Sequence, residues 1–314
     1  MRFGASVWPW RWDTPYDKAV KRIGDAGFRA TELIAWKPET LEEYYTPQNI
    51  ATLRSVLDGE GMTLSQFVVN NAGMASADAK VRQAKVDMFK AGVDTGVELG
   101  ATIINTVTHL PFEIDFPRLQ NYPLMQMVSV DLPKELDWNQ NWHDYVAAVR
   151  ECADYAEQAG VKYSVEPHPF RYGANTEGLL RLLDAVDSPA LGINFDPSHL
   201  FPVGEIPHMV IYRLAGRILH CHFSDNDSYT NAHWRPGMGK IDWTAVLQAL
   251  KDTGYDGVIS LEFEDVPGVS RGPSSSQPTA YGRNEDATAG FEAEYKTALA
   301  YLTGLAEEVG LNVE

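Results

Sequence analysis

Residues 162–199 read KYSVEPHPFRYGANTEGLLRLLDAVDSPALGINFDPSH and contain one complete strand–helix–strand unit. Lys162–Glu166 and Leu191–Asp196 are short strand-like runs bounded by Gly, Pro, Asn and Asp, and 176–187 between them carries Leu179, Leu182, Leu183 and Val186 at helical spacing. Two parallel strands joined through a helix are the building block of α/β folds. The unit recurs in both directions. Further strands are expected at Phe3–Val7, Ala30–Ala35, Thr63–Val69, Thr102–Thr108, Arg217–Phe223 and Gly257–Glu264, with helices near 15–26, 47–59, 78–99, 141–159, 176–187, 205–215, 242–253 and 286–310. Gly27, Gly61, Gly100, Gly160 and Gly254 follow helices where a left-handed C-cap residue is wanted. Strict alternation of eight strands with eight helices predicts an α/β fold of the (β/α)8 barrel type spanning 1–314. A doubly wound sheet is the competing arrangement, but no GxGxxG opens an early helix, and the Gly-x-Gly of Gly237-Met238-Gly239 comes only after the seventh strand.

Two connections exceed ordinary βα loops: 109–140 after the fourth strand and 265–285 after the eighth. Both are expected over the C-terminal mouth of the barrel. The first carries Leu110, Phe112, Ile114, Phe116, Leu119, Tyr122, Leu124, Met125, Met127 and Val128, too apolar a set for a freely solvated loop, and is expected to form part of the mouth or a subunit contact. The second, rich in Ser, Pro and Gly, reads equally well as a plain connection. The balance of 26 Lys and Arg against 43 Asp and Glu, a net charge of −17, argues against nucleic acid and anionic membranes as partners. The N-terminal sequence lacks a basic-then-apolar leader, and no run of about 18 apolar residues occurs. The expectation is a cytoplasmic protein. Cys152 and Cys221 exclude a disulfide scaffold and read as small buried apolar residues.

The chemistry gathers at the strand ends. In a barrel, the C-terminal ends of different strands converge on one point. Strand five ends in Val165-Glu166-Pro167-His168, strand six in Asn194-Phe195-Asp196-Pro197-Ser198-His199, strand seven in His220-Cys221-His222-Phe223, and strand eight in Leu261-Glu262-Phe263-Glu264. Alternation sends Val165, Phe195, Cys221, Leu261 and Phe263 toward the helices and leaves Glu166, Asp196, His222 and Glu262 facing inward at one height. A lone strand-end carboxylate more often caps a helix or pairs with a lysine; four coincident ones point to a metal. Three carboxylates and one imidazole suit Mn²⁺, with Mg²⁺ or Co²⁺ as alternatives. His220 reads as an interior hydrogen-bonding residue one layer below, and Glu32 as an interior acceptor. His109, Trp8 and Trp10 are expected substrate contacts; Trp12 stands beside them, and packing is the commoner role for all three tryptophans.

This order of strand-Glu, strand-Asp-x-x-His, strand-His and strand-Glu resembles the xylose isomerase-like TIM barrels, the sugar isomerases and epimerases, over essentially the whole chain. Gly27-Phe28 leading to Glu32, Gly237-x-Gly239-x-Ile241-Asp242-Trp243 and Gly254-Tyr255-Asp256-Gly257 extend the likeness. The resemblance implies that Glu166, Asp196, His222 and Glu262 bind a divalent metal, that His199 reaches the substrate, and that a proton is removed beside a sugar carbonyl to give an enediolate. Ketose epimerases of this family place Glu six residues after the first ligand and Arg six after the metal His; here those positions hold Tyr172 and Ser228. His168 within Glu166-Pro167-His168-Pro169, together with the 109–140 insert, looks like the metal-binding catalytic subunit of bacterial C-glycoside deglycosidases. That likeness implies β-elimination from 3-oxo-C-glucosides, His168 as base and a smaller β-rich partner subunit. A sugar isomerase or epimerase using Glu166 and Glu262, an inosose-type dehydratase and a non-catalytic sugar-binding barrel are the alternatives.

Overall fold

The computed structural model describes residues 1–11, 14–114, 130–132, 134–264, 266–269 and 285–314. Eight parallel strands close into a barrel in chain order: β1 (Arg2–Ala5), β2 (Ala30–Ala35), β3 (Thr63–Val69), β4 (Ile103–Val107), β5 (Lys162–Glu166), β6 (Leu191–Phe195), β7 (Ile218–Phe223) and β8 (Val258–Leu261). Closure runs through β8 and β1, where Arg2, Phe3, Gly4 and Ala5 stand opposite Val258, Ile259, Ser260 and Leu261. The outer layer is α1 (Asp17–Asp25), α2 (Pro47–Gly59), α3 (Ala79–Leu99), α4 (Trp138–Gln158), α5 (Thr176–Val186), α6 (Pro197–Leu200), α7 (Pro207–Arg213), α8 (Trp243–Asp252) and α9 (Glu285–Glu308). Among the described residues no helix is long and apolar enough to cross a membrane.

The main apolar core fills the space between strands and helices. Val165, Phe195, Cys221, Leu261 and Phe263 are all fully buried there, as alternation requires. Phe223 packs on Trp243 of α8 with ring centroids 4.6 Å apart, and Phe263 stacks on Tyr295 of α9 at 4.7 Å. Cys152 and Cys221 are free and buried. The expected C-cap glycines all take positive φ, Gly100 at 92° among them.

Several boundaries differ from the sequence expectation. The first strand stops at Ala5, because Trp8–Trp10 turns into a short 3₁₀ segment with Pro9 inside it. The last stops at Leu261, although Glu262 N still donates to Phe223 O at 3.3 Å and Glu264 N to His233 O at 3.1 Å. Helix α4 begins earlier than expected because Asp137 caps it, accepting from Gln140 N at 2.9 Å. The one-turn α6 was not anticipated: Asp196 ends its strand and caps this turn at once. Of the 109–140 insert, 115–129 and 133 lie outside the described residues, as do Trp12 and most of the 265–285 loop. Phe112 of that insert packs edge-on against Trp138 at 4.9 Å.

The Gly237-Met238-Gly239 turn encloses an anion that belongs to the protein itself. Asp225 is fully buried; its Oδ1 accepts from Asn226 N (2.9 Å) and Ile241 N (3.2 Å), and its Oδ2 from Gly237 N and Trp243 Nε1 (both 2.9 Å). The Asp225 backbone also exchanges two hydrogen bonds with Trp234, so this one residue fixes the β7–α8 loop at both ends. A Cβ on Gly239 would stand 2.2 Å from both Asn226 O and Asp225 Oδ1. Gly239→Ala is therefore expected to cost ~3 kcal/mol through forced displacement of backbone, lowering the melting temperature by several degrees. A thermal-unfolding scan of the variant beside wild type checks this, and an unchanged midpoint contradicts the account.

Candidate metal centre

Glu166, Asp196, His222 and Glu262 each present one ligand atom, and these atoms lie within 4.8 Å of one another. Strand period and barrel register bring them together: Val107 pairs with Glu166, Phe195 with Cys221, and His222 with Ser260. Each carboxylate is steered so that one oxygen is anchored or the carboxyl is held from one side. Glu166 Oε2 accepts from Asn105 Nδ2 (3.1 Å) and Asn194 Nδ2 (3.0 Å), while its Oε1 faces His199 Nε2 at 3.5 Å. Asp196 Oδ1 accepts from Ser198 N at 2.7 Å as the N-cap of α6. Its Oδ2 is buried without a hydrogen-bond partner and points into the cluster.

His222 is held at both ring nitrogens. Its Nε2 lies 2.9 Å from Glu32 Oε2, a carboxylate that also accepts from Gln66 Nε2 at 2.8 Å. Its Nδ1 lies 3.0 Å from Glu262 Oε2 and 3.3 Å from Glu166 Oε2. A carboxylate behind an imidazole is the arrangement that orients metal-binding histidines. One layer below, His220 binds Asn194 Oδ1 (3.1 Å) and Ser65 Oγ (3.2 Å) and is fully buried, the interior role expected of it.

The charges of the cluster test whether a cation suits it. Burial drives the Glu262 carboxyl up to about 7 and that of Asp196 up to about 6. Burial opposes a proton on His222, yet the carboxylates of Glu262, Glu32 and Glu166 together raise it well above its ordinary value. Behind it, Glu32 is also opposed by burial, but the His222 imidazole holds it down to about 2. Buried like charges of this kind are costly, and a divalent cation relieves them while giving the orphaned Asp196 Oδ2 a partner. The donor set is hard and oxygen-rich, so the residues present fit such an ion.

Above the cluster is a recess enclosing about 100 Å³, lined by Trp8, Val68, Val107, Glu166, His168, His199, His222, Asn231, His233, Glu262 and Glu264. Three imidazoles follow one another across it: His168 and His199 rings have centroids 3.6 Å apart, and His199 Nε2 is 3.3 Å from His233 Nε2. His199 is further fixed by Asn231 Oδ1 at 2.8 Å from its Nδ1. His168 keeps 21% of its side chain open to the recess, has its Nδ1 4.0 Å from Glu166 Oε1, and is held well below its usual value, chiefly by burial.

Of the side chains named for catalysis or substrate contact, Trp8, His168 and His199 line the recess, and Trp10 and His109 do not. Trp10 is 2% exposed and packs toward Tyr295, 6.0 Å between centroids, because consecutive residues of a 3₁₀ turn fan out by about 120° instead of alternating as in a strand. His109 is 1% exposed and its Nε2 faces Asn71 O at 3.3 Å, behind the wall of the recess. Sequence reading passed over Asn105, Asn194, Gln66, Asn231 and His233. Asn194 was within reach, standing two residues before Asp196 on the same face, whereas His233 lies in a loop with no periodicity to reveal it.

A sequence profile described as xylose isomerase-like TIM barrel matches residues 20–292. The fructoselysine 3-epimerase of Shigella flexneri is 21% identical over 258 residues, covering 79% of this chain and 85% of that one. The inosose dehydratase of Lacticaseibacillus casei is 27% identical over 146 residues, 41% of this chain and 49% of that one. The structure of D-psicose 3-epimerase with D-tagatose from Clostridium cellulolyticum H10 superposes with a TM-score of 0.74 at 20% identity, over 97% of this chain and 99% of that one, a likeness of fold.

Glu166→Ala and Glu262→Ala are expected to lose stoichiometric Mn²⁺ on elemental analysis while keeping the barrel's circular dichroism. Glu32→Gln leaves all four ligands in place but loosens His222, and should weaken Mn²⁺ binding by ~10–100-fold in a chelator competition. Equal affinity in Glu32→Gln and wild type would remove Glu32 from this role.

Proposed function

The chain belongs to the xylose isomerase-like TIM barrel family, and from that premise we propose that it is a divalent-metal-dependent enzyme that removes a proton from the carbon beside a sugar carbonyl. The observation that carries this is the cluster of Glu166, Asp196, His222 and Glu262 beside a recess that His168, His199 and His233 also line. Bound there, a divalent cation such as Mn²⁺ would supply Lewis-acid charge that polarises a carbonyl and makes the neighbouring C–H acidic. The chain's own groups do the rest. Glu166 and Glu262, 3.3 and 3.0 Å from His222 Nδ1, are the carboxylates able to take and return a proton, as sugar isomerisation or epimerisation requires. The 3-epimerase and dehydratase relatives support chemistry of this class.

A second reading, elimination, is favoured by one specific feature. His168 Nδ1 is buried with no hydrogen-bond partner, and burial keeps the ring neutral, so it is a base without a competing task. The positions where ketose epimerases carry further Glu and Arg are occupied otherwise. Tyr172 turns away, donating to Asn141 Oδ1 at 2.9 Å and stacking on Tyr145, and Ser228 sits in a turn with φ of 70°. Elimination needs one base instead of two: from a 3-oxo-glucoside the C2 proton would leave to His168, a C1–C2 double bond would form, and the C1 substituent would depart with the bond pair and take up a proton in its place. In its most specific form this is C-glycoside deglycosidation, with a smaller β-rich subunit as partner.

Incubation with free ketoses and with 3-oxo-C-glucosides in deuterated water, with and without Mn²⁺, tests both readings. Metal-dependent deuterium uptake beside the carbonyl of a ketose, or metal-dependent release of the aglycone from a 3-oxo-C-glucoside, is the expected result; full activity after exhaustive chelation overturns the proposal. His168→Asn then separates the readings. Elimination through His168 predicts turnover ~10²–10⁴-fold lower with metal content unchanged, and proton exchange by the carboxylate pair predicts that most of the rate survives.

A further inference from the structure

Among the described residues, three carboxylates line the recess: Glu166, Glu262 and Glu264. Glu264 stands outside the cluster that could hold a metal. Beyond Leu261 the chain keeps the spacing of a strand. Glu262 N donates to Phe223 O at 3.3 Å and Glu264 N to His233 O at 3.1 Å, while Phe263 between them is fully buried and stacks on Tyr295. Glu262 and Glu264 therefore share the inward face, and Glu264 is one step nearer the mouth, roughly 6–7 Å farther along the chain.

The Glu264 carboxylate is held across the β8–β1 seam. Its Oε1 accepts from Arg11 Nη2 at 3.0 Å, and Arg11 Nη1 donates to Trp8 O at 2.8 Å, so the residues following β1 fix the carboxylate that follows β8. The guanidinium also lies 4.1 Å from the Trp8 ring centroid and 5.0 Å from that of Trp36. The Arg11 and Glu264 side chains are only 4% and 8% exposed. Such a pair adds little stability, because desolvation offsets the attraction. What it provides is an acceptor of fixed position in the recess wall. A carboxylate accepts at about four sites, so the bond from Arg11 is compatible with another from a ligand. The charges of the pair cancel, so a cationic ligand gains little from it, and a neutral hydroxyl is the donor it suits.

A ketose deprotonated at C3 and a 3-oxo-glucoside deprotonated at C2 both put C2 and C3 at the level of Glu166 and Glu262. The rest of the sugar extends from that level toward the mouth, and its farthest donor is the hydroxyl on C6. We infer that Glu264, held by its ion pair with Arg11, is a specificity-determining residue that accepts a hydrogen bond from this C6 hydroxyl. That the ligand is a sugar rests on the proton-abstraction reading; the place of Glu264 in the recess does not.

Calorimetric titration of the Mn²⁺-loaded full chain with two matched pairs tests the inference: D-fructose against 6-deoxy-D-fructose, and methyl β-D-glucopyranoside against its 6-deoxy analogue. In at least one pair the compound with the C6 hydroxyl is expected to bind ~10-fold or more tightly, the scale of a hydrogen bond to a charged group. Glu264→Ala should bring that pair within about twofold, with metal content and affinity for the deoxy compound unchanged. Should this variant fold poorly because it strands a buried guanidinium, Arg11→Met combined with Glu264→Leu removes both charges together and gives the same comparison. A pair that only seals the seam predicts the opposite pattern, a lowered melting temperature with the C6 preference intact. That pattern, equal binding within both pairs by wild type, or no binding of any probe overturns the inference. Deuterium uptake into a ketose without a C6 preference leaves proton abstraction standing and removes Glu264 from this role; a C6 preference without uptake does the reverse.

Discussion

Three carboxylates and an imidazole are forced to one height inside a closed barrel, and the rest of the site answers that electrostatic demand. Carboxylates this close and this buried cannot all be charged without a cation, which is why burial pushes Glu262 and Asp196 upward and the carboxylates draw a proton onto His222. The arrangement persists because strand pairing fixes the backbone beneath every ligand.

Direction is imposed by amides and one more carboxylate. Asn105 and Asn194 converge on Glu166 Oε2 and so turn Oε1 toward the histidines. Asp196 uses one oxygen to cap α6 and leaves the other to the cluster, so the same side chain ends a strand, starts a helix and serves the site. Glu32 holds the far side of His222. These groups are buried and satisfied mainly by one another, and a network of that kind specifies a single arrangement more than it adds stability.

The mouth inherits an asymmetry from the chain's order around the barrel. Glu166, Asp196, His222 and Glu262 stand at the ends of β5 to β8, whereas Trp8 follows β1 and Val68 and Val107 lie in β3 and β4. The β7–α8 loop brings in Asn231 and His233, and it does so because Asp225 gathers the Gly237–Trp243 turn around its carboxylate. A glycine pattern that suggests phosphate binding in other settings here wraps an internal anion.

The barrel and the convergence of these four side chains were legible in the sequence, because strand alternation has a period of two and parallel strands joined by helices end at the same face. Glu166, Asp196, His222 and Glu262 needed nothing beyond that rule, and the interior places of His220 and Glu32 followed from it as well. Trp8 and Trp10 were not separable that way, since a 3₁₀ turn after β1 replaces the strand period and sends one indole to the rim and the other into the core. His109 was read into the mouth but turns to Asn71 O, a choice made by the packing behind β4. His233 and Asn231 reach the recess from a loop, and Arg11 meets Glu264 only because β8 closes on β1. Local periodicity fixes which way a strand residue points; contacts between residues hundreds of positions apart depend on closure of the barrel, which no local pattern encodes.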